Sequence, residues 1–354
     1  MLDQKLYKFK KIVAEGMNKL LSIVGPTATG KTNLALFITQ KLIKDSAQFP
    51  EDQKIKGVDL ISLDSRQVYQ GLKIISGADV PKKFKLQTTA LEFPDYPYYA
   101  NQDQTIRLHG VSILKPNEEW SVSHFQEFAQ KLIAFSWQTG YLPILVGGTG
   151  LYYQHLFNPD THLKVKPDLK LRQKAEQMDL EALQQRLIEL NKTIFENMNH
   201  SDKNNPRRLI RKIEILLHQN KVKANQLTIQ KPNKSLTFLL MDELKTIKEK
   251  IEKRVEKRFK NGAIDEVKNL YQKYEPQLSA LSATGVKEIK QFLDQETSEE
   301  ECLKLWTLRE YQYAKRQITW WKNKKNITVL NLKNKDYQQQ ALELVEKQLM
   351  TISK

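Results

Sequence analysis

Gly25-Pro26-Thr27-Ala28-Thr29-Gly30-Lys31-Thr32 decides the fold. It satisfies G-x-x-x-x-G-K-[ST] at every fixed position. Before it, Leu20-Leu21-Ser22-Ile23-Val24 is a short apolar run that predicts a buried strand. After it, Asn33 to Leu42 predicts a helix. Strand, glycine loop and helix together are the setting this phosphate-binding loop (P-loop) requires. Its physics is anion binding: free backbone N–H groups and a positive helix end cradle a di- or triphosphate. Lys31 adds a point charge and Thr32 a hydroxyl able to ligate Mg²⁺. The loop specifies a polyphosphate, not which one, nor the reaction that follows.

Working outward, strands alternate with helices. Val58-Asp59-Leu60-Ile61-Ser62-Leu63 predicts a second strand ending at Asp64-Ser65-Arg66-Gln67-Val68-Tyr69. Tyr141 to Val146 predicts another, running into Gly147-Gly148-Thr149-Gly150-Leu151-Tyr152. Gly110 to Leu114 is expected as a short strand, and Lys82 to Arg107, with Pro94 and Pro97, as an irregular insertion or flexible loop. Ser123 and Gln126 form a capping-box pattern ahead of a helix that Gly140 ends. This is α/β patterning, a P-loop NTPase-like parallel sheet flanked by helices.

Near Pro159 the period becomes helical and stays so to about Pro232, with Pro206 opening one helix. Ser235 to Met241 then predicts a strand again. The domain reading is therefore residues 1–159 as the first part of the core, 160–232 as an inserted all-helical domain, and 233–354 as the second part. Met1 to Lys19 is expected as a helical lead-in. Downstream, a long helix should bury Leu244, Ile247, Ile251, Val255 and Phe259, with Gly262 at its end or at a break. Further expected elements are a helix over Glu299–Lys322, a late strand over Ile327–Leu330 and a closing helix over Tyr337–Ile352.

Charge narrows the partner. The net charge of +16 favours a polyanion. Lys203–Lys234 carries nine Lys/Arg against one Glu, and Arg309–Lys325 six against one. Two short segments thus hold 13 of the 16 excess charges, which favours a binding track over a uniformly basic surface. The tract from Tyr311 to Lys322 interleaves aromatics with cations, as nucleic-acid surfaces do. The same tract also fits a helix with a buried aromatic stripe, the reading favoured for Trp320 and Trp321. A single cysteine, Cys302, excludes an internal disulfide or a cysteine-based zinc site and suits a reducing cytosol. No run approaches the roughly 18 apolar residues of a membrane span. The chain is expected to be cytoplasmic.

Several P-loop chemistries are disfavoured. No Asn-Lys-x-Asp guanine-reading motif follows the sheet, and no apolar strand ends in an Asp-Glu pair. Asp64 sits where working residues sit in open α/β sheets, at a strand's C-terminal end. It reads either as a cap or as a general base beside a bound diphosphate. Gly147 to Gly150 reads either as a plain turn or as a backbone brought close to a ligand.

The set Gly25–Thr32, Asp64-Ser-Arg-Gln67-Val-Tyr, Leu145-Val-Gly-Gly-Thr-Gly-Leu-Tyr152, Pro206-Arg-Arg-Leu-Ile-Arg211 and Ala314-Lys-Arg-Gln-Ile-Thr-Trp320, in that order, resembles the tRNA dimethylallyltransferase family. The likeness runs from about Leu20 to Lys322. It implies transfer of a dimethylallyl group from its diphosphate to N6 of the adenine 3′ of the anticodon. It also implies a Mg²⁺ ion held by Thr32, and a helical insertion that grips the anticodon stem. By the same likeness Gly25, Pro26, Thr27, Ala28, Thr29, Gly30, Lys31 and Thr32 hold the diphosphate, and Asp64 takes the N6 proton. Asp64, Ser65, Arg66, Gln67 and Thr149 meet the target nucleotide, and Arg172, Arg207, Arg208 and Arg211 the rest of the tRNA. Arg254 stands beside the leaving group, unless it is one more solvated charge. A monomer is expected. Departures from the family pattern are Arg207, where glutamine is usual, Gly77-Ala78-Asp79-Val80-Pro81, which lacks a lysine, and the long 82–107 linker. The competing readings are a P-loop kinase for a nucleotide or small metabolite, and an idle RNA-binding protein.

Overall fold

The computed structural model describes residues 18–88, 96–156, 160–218 and 232–349. The lead-in expected before Asn18 lies outside them. Eight strands form one sheet: β1 Lys19–Val24, β2 Gly57–Leu63, β3 Lys85–Gln87, β4 Tyr98–Ala100, β5 Ile106–His109, β6 Tyr141–Gly147, β7 Lys234–Met241 and β8 Thr328–Asn331. Their order is β3-β4-β5-β2-β6-β1-β7-β8. All neighbours from β5 to β8 pair in parallel, while β4 runs antiparallel to both β3 and β5. Strands β1 and β2 are buried at every position, which is why both are mainly apolar, with Asp59 of β2 a buried charge among them.

The helices, in chain order, are α1 Lys31–Asp45, α2 Lys73–Ser76, α3 Val122–Thr139, α4 Gly150–Leu156, α5 Leu169–Ala175, α6 Leu180–Glu196, α7 His200–Lys203, α8 Pro206–His218, α9 Leu244–Arg258, α10 Ile264–Lys273, α11 Val286–Leu293, α12 Glu299–Lys322 and α13 Tyr337–Leu349. The chain divides into two compact units, one of Met1–Gln154 with Ile229–Lys354 and the other of His155–Thr228. The first holds the sheet. The second is helical, and α5, α6 and α8 close its own small core around Leu183, Leu187, Leu209 and Ile213.

Local readings shift in four places. The strand expected at Gly110–Leu114 lies instead at Ile106–His109. Part of the expected 82–107 loop forms the edge pair β3–β4; residues 89–95 lie outside the described ones. The capping box on α3 is built by Ser121 and His124, not Ser123 and Gln126: the Ser121 side chain accepts from His124 N, and His124 Nδ1 accepts from Ser121 N. Leu244 is 44% exposed, because α9 starts there and its buried stripe begins at Ile247.

The displaced β5 has a physical cause. Its Arg107 and His109 are buried polar side chains that satisfy Asp59 on the neighbouring β2. Arg107 donates to both Asp59 oxygens at 2.6 and 2.7 Å, Ser136 Oγ donates at 2.7 Å, and His109 Nε2 lies at 2.8 Å. The guanidinium lies over the Tyr141 ring, 3.5 Å from its centroid. Burial alone would raise the Asp59 pKa; the His109 and Arg107 charges and hydrogen bonds overcome it and hold the carboxyl down at about 2. Among the described residues, no helix is long and apolar enough to cross a membrane.

Candidate active site

Three adjacent parallel strands end flush. Register pairs Gly147 with Leu63 on one side and with Val24 on the other. The segments that follow β2, β6 and β1 therefore emerge side by side at the C-terminal edge of the sheet, where α/β proteins bind ligands. The P-loop, the Asp64 turn and the Gly147–Gly150 turn become one site for that reason.

The P-loop needs its first glycine twice over. Gly25 has φ 146°, and a Cβ there would lie 2.6 Å from Leu240 O on β7. Gly30, at φ 78°, turns the chain into α1. Between them Thr29 Oγ1 donates to Pro26 O at 2.8 Å, and Lys31 Nζ donates to the same oxygen at 2.7 Å. The lysine head is thus folded back into its own loop. Desolvation, aided by the Arg254 charge and opposed by Asp64, lowers the Lys31 pKa to about 8.

Asp64 caps and also faces the site. One carboxylate oxygen accepts from Arg66 N at 2.7 Å and Gln67 N at 3.2 Å, a local turn that includes Ser65 and fixes the side chain. Among the described residues the other oxygen accepts no hydrogen bond. The carboxylate lines the same cleft as Lys31, Thr32 and Arg254. Gln67 also lines it, but its amide is engaged on both sides: it accepts from Ser62 Oγ at 2.9 Å and donates to Gly77 O at 3.0 Å. Arg66 reaches away to donate to Ser279.

The Gly147–Gly150 turn is a close-packed backbone. A Cβ at Gly147 would lie 2.3 Å from Leu63 O, and one at Gly150 2.2 Å from the Trp320 ring. Thr149 N donates to Leu63 O at 3.1 Å, which locks the turn to β2. Trp321 is 1% exposed and serves packing, while Trp320 is only half-buried.

Cations gather opposite the loop. Arg254 on α9 donates to Thr27 Oγ1 at 2.7 Å and to Glu310 on α12. Arg258, one turn later, donates to Glu310 at 2.9 Å and to Ile75 O at 3.3 Å. Trp306 Nε1 donates to the same carboxylate at 3.3 Å. One carboxylate thus serves two guanidinium groups, and Lys31 adds a third positive charge. Desolvation and the Arg254 charge pull the Arg258 pKa down to about 10. Tyr313 also lines the cleft, its hydroxyl pKa pushed up by burial and by the Asp64 charge. Asp64 and Asp79 line the cleft as well, so what it offers a multiply charged anion is a converging set of N–H and cationic donors, not a net excess of positive charge. Among the described residues, no three His, Cys, Asp or Glu side chains gather to hold a metal.

The cations of the helical unit are of two kinds. Arg172 donates to Glu214 at 2.6 and 3.1 Å, and Arg211 donates to it at 3.0 Å and to Val165 O at 2.8 Å. Arg172 thereby ties α5 to α8, and Arg211 ties α8 to the segment before α5, around a fully buried carboxylate. Arg208 pairs with Asp202. Arg207 and Lys212 are exposed and make no ion pair among the described residues.

Sequence reading misses Arg258, Glu310 and Gln317. The first two look like ordinary members of charged helices, and only spacing gives a sign: Arg254 and Arg258 are one turn apart and so share a face. Gln317 falls within the Ala314–Trp320 motif, but nothing in the letters says that it reaches the P-loop.

Comparison with known proteins agrees with this geometry. The family model described as IPP transferase matches residues 98–324. A tRNA dimethylallyltransferase of Halalkalibacterium halodurans is 29% identical over 334 residues, covering 92% of this chain and 95% of that protein. One from Halothermothrix orenii is 31% identical over 329 residues, covering 90% and 89%. Among solved structures, the full-length tRNA isopentenylpyrophosphate transferase of Bacillus halodurans superposes with a TM-score of 0.60 at 28% identity, covering 93% of this chain and 96% of that one. A eukaryotic dimethylallyltransferase acting on tRNA, at 23% identity and a TM-score of 0.66, shares the fold. The chain therefore belongs to the IPP transferase family.

Proposed function

We propose that this enzyme transfers a dimethylallyl group from dimethylallyl diphosphate to N6 of the adenine 3′ of the anticodon in tRNA, releasing pyrophosphate. One observation carries the reading: an anion-binding loop and a carboxylate with a free oxygen line a single cleft, opposite two arginines. Family membership supplies the substrates.

The chemistry follows from those groups. The adenine amine is a weak nucleophile and must be oriented and deprotonated. Its N6 attacks the allylic carbon as the C–O bond to the diphosphate breaks. Asp64 accepts the N6 proton. The leaving pyrophosphate gains negative charge, which the loop N–H groups, Lys31 and Arg254 stabilise, with Arg258 behind them. Lys31 exchanges its bond to Pro26 O for the diphosphate. A base stacked in a tRNA loop must be extruded to reach such a cleft.

Mg²⁺ fits this donor set. Magnesium commonly binds through substrate phosphates, water and one or two protein oxygens, and here the Thr32 hydroxyl lines the cleft beside Lys31. When bound, the ion neutralises phosphate charge. Exposed Arg207 and Lys212, with Arg208, form the tRNA-facing track of the helical unit. Arg172 supports it by tying α5 to α8, and Arg211 by tying α8 to the 162–165 segment. Ser65, Arg66, Gln67 and Thr149 shape the wall beside the target nucleotide. The enzyme acts as a monomer in the cytoplasm.

The test is to incubate the chain with tRNA and dimethylallyl diphosphate, digest the RNA and locate the added mass. A dimethylallyl group on the adenine 3′ of the anticodon is expected. An unmodified anticodon loop under conditions where both substrates bind would overturn the reading.

A further inference from the structure

Arg254 and Arg258 line the cleft, and Glu310 lies behind them, 3% exposed. A bound anion therefore meets the two guanidiniums and not this carboxylate. Among the described residues, Glu310 is the ion-pair partner of both. Asp64 and Asp79 share the cleft, but of the three carboxylates that act on Arg258, Glu310 acts most strongly. The arrangement is braced on every side. Arg254 also donates to Thr27 Oγ1 at 2.7 Å, and Arg258 to Ile75 O at 3.3 Å. The Arg258 guanidinium lies against Gly77, where a Cβ would fall 1.7 Å from its Nη2. Trp306, one turn before Glu310, donates to it at 3.3 Å. Two turns after it, Gln317 Oε1 accepts from Thr27 N at 2.8 Å, which fixes α12 to the P-loop.

A guanidinium shared with a buried carboxylate attracts an incoming anion less than an unshared one does. That matters in a transferase whose product is itself an anion. Binding energy spent on pyrophosphate after the transfer only slows its release, which must happen once per turnover. We propose that Glu310 is the internal counter-ion of this site: it holds Arg254 and Arg258 in place while weakening their grip on the phosphates, so that pyrophosphate leaves. The proposal rests on the reading of the cleft as a diphosphate site. Glu310 touches no substrate; it is a positioning residue that acts through the two arginines.

The test is calorimetric titration of the full chain with inorganic pyrophosphate, at one pH and ionic strength. Glu310→Gln keeps the size and an acceptor oxygen but removes the charge. Its free form should melt lower, because two neighbouring guanidiniums lose their counter-charge. Pyrophosphate should nevertheless bind it about tenfold tighter than wild type, the order of one close charge pair. The rise in melting temperature on adding pyrophosphate should grow accordingly. A residue that served packing alone would lower stability without tightening the anion. Glu310→Asp retains the charge and should bind near wild type. Arg258→Gln should bind more weakly, since Glu310 then neutralises Arg254 undivided, and adding Glu310→Gln to it should restore affinity. That double variant, which loses one charge of each sign, stands in if Glu310→Gln does not fold. Glu310→Gln binding no tighter than wild type, Glu310→Asp binding as tightly as Glu310→Gln, or a double variant no tighter than Arg258→Gln overturns the role of Glu310 alone. A wild type that binds no pyrophosphate overturns the diphosphate site as well.

Discussion

Asp59 and Glu310 are both buried carboxylates that face arginine, and they do opposite things. Asp59 meets one guanidinium through both oxygens, with His109 and Ser136 completing its shell. Charge there balances locally, and Arg107 is sealed against Tyr141. Glu310 faces two guanidiniums with one carboxylate. Among the described residues Arg254 Nε is buried without a hydrogen-bond partner, and Lys31 lies close enough for Arg254 to depress its pKa. A balanced cluster is structural: it fixes the register of β5 on β2. A cluster whose cations and carboxylates, Asp64 and Asp79 included, converge on an open cleft is placed to take a ligand.

The contrast predicts that site substitutions cost chemistry and core substitutions cost folding. The largest effect should come from Asp64→Asn. Asparagine can keep the bonds from Arg66 N and Gln67 N but cannot take a proton, so the single-turnover chemical step should slow about 10²–10⁴-fold. Binding and melting temperature should stay near wild type. A slowdown under about tenfold would leave Asp64 a turn residue only.

Asp59→Asn should do the reverse. It leaves Arg107 buried without its counter-charge, a defect that typically costs about 3–5 kcal/mol. Urea denaturation should show this loss, while activity of the remaining folded fraction persists. The pH dependence has a fixed sign. The native Asp59 pKa is depressed to about 2, below its unfolded value near 3.9. Its contribution is complete above the unfolded value and is lost as pH falls through about 4 towards 2. The Asn variant should lack that acid limb.

Lys31 gives a smaller and opposite test. Its proton is held with a pKa of about 8, so in the free protein the charge that meets the diphosphate is present below that pH and fades above it. Pyrophosphate affinity should fall as pH rises through 8, by up to about tenfold per unit. Lys31→Ala should bind weakly throughout and lack this step. A wild-type profile no steeper than the variant's would separate Lys31 from the anion.

The smallest effects belong to the exposed cations. Arg207→Ala and Lys212→Ala should each reduce the salt slope of tRNA binding by about one, with little change in stability. Arg211→Ala should instead destabilise the helical unit, since Arg211 ties Glu214 to the 162–165 segment. Equal and purely electrostatic effects from all three would erase the distinction between exposed and structural arginines.

The legible parts of the chain were those governed by local pattern. Mainly apolar runs gave β1, β2 and β6, the glycine loop gave the start of α1, and strand-end logic put Asp64 beside it. β5 escaped because Arg107 and His109 look polar until Asp59, 48 and 50 residues away, is seen to neutralise them. The β3–β4 pair escaped because two three-residue strands leave almost no periodicity to read. At the site the hidden members were Arg258, Glu310 and Gln317. Their partners are 52, 52 and 290 residues distant, so no window of sequence contains the interaction that defines them. The capping box moved by two residues because a histidine ring nitrogen did the work usually assigned to Glu or Gln.

The central claim is that this P-loop serves a diphosphate leaving group in allyl transfer to RNA. The most direct measurement follows pyrophosphate, orthophosphate and prenylated adenine together, with tRNA, dimethylallyl diphosphate and ATP all present. Pyrophosphate should appear one-for-one with prenylated adenine, at the same rate when ATP is left out. Orthophosphate released from ATP, with dimethylallyl diphosphate unused and the tRNA unchanged, would contradict the account.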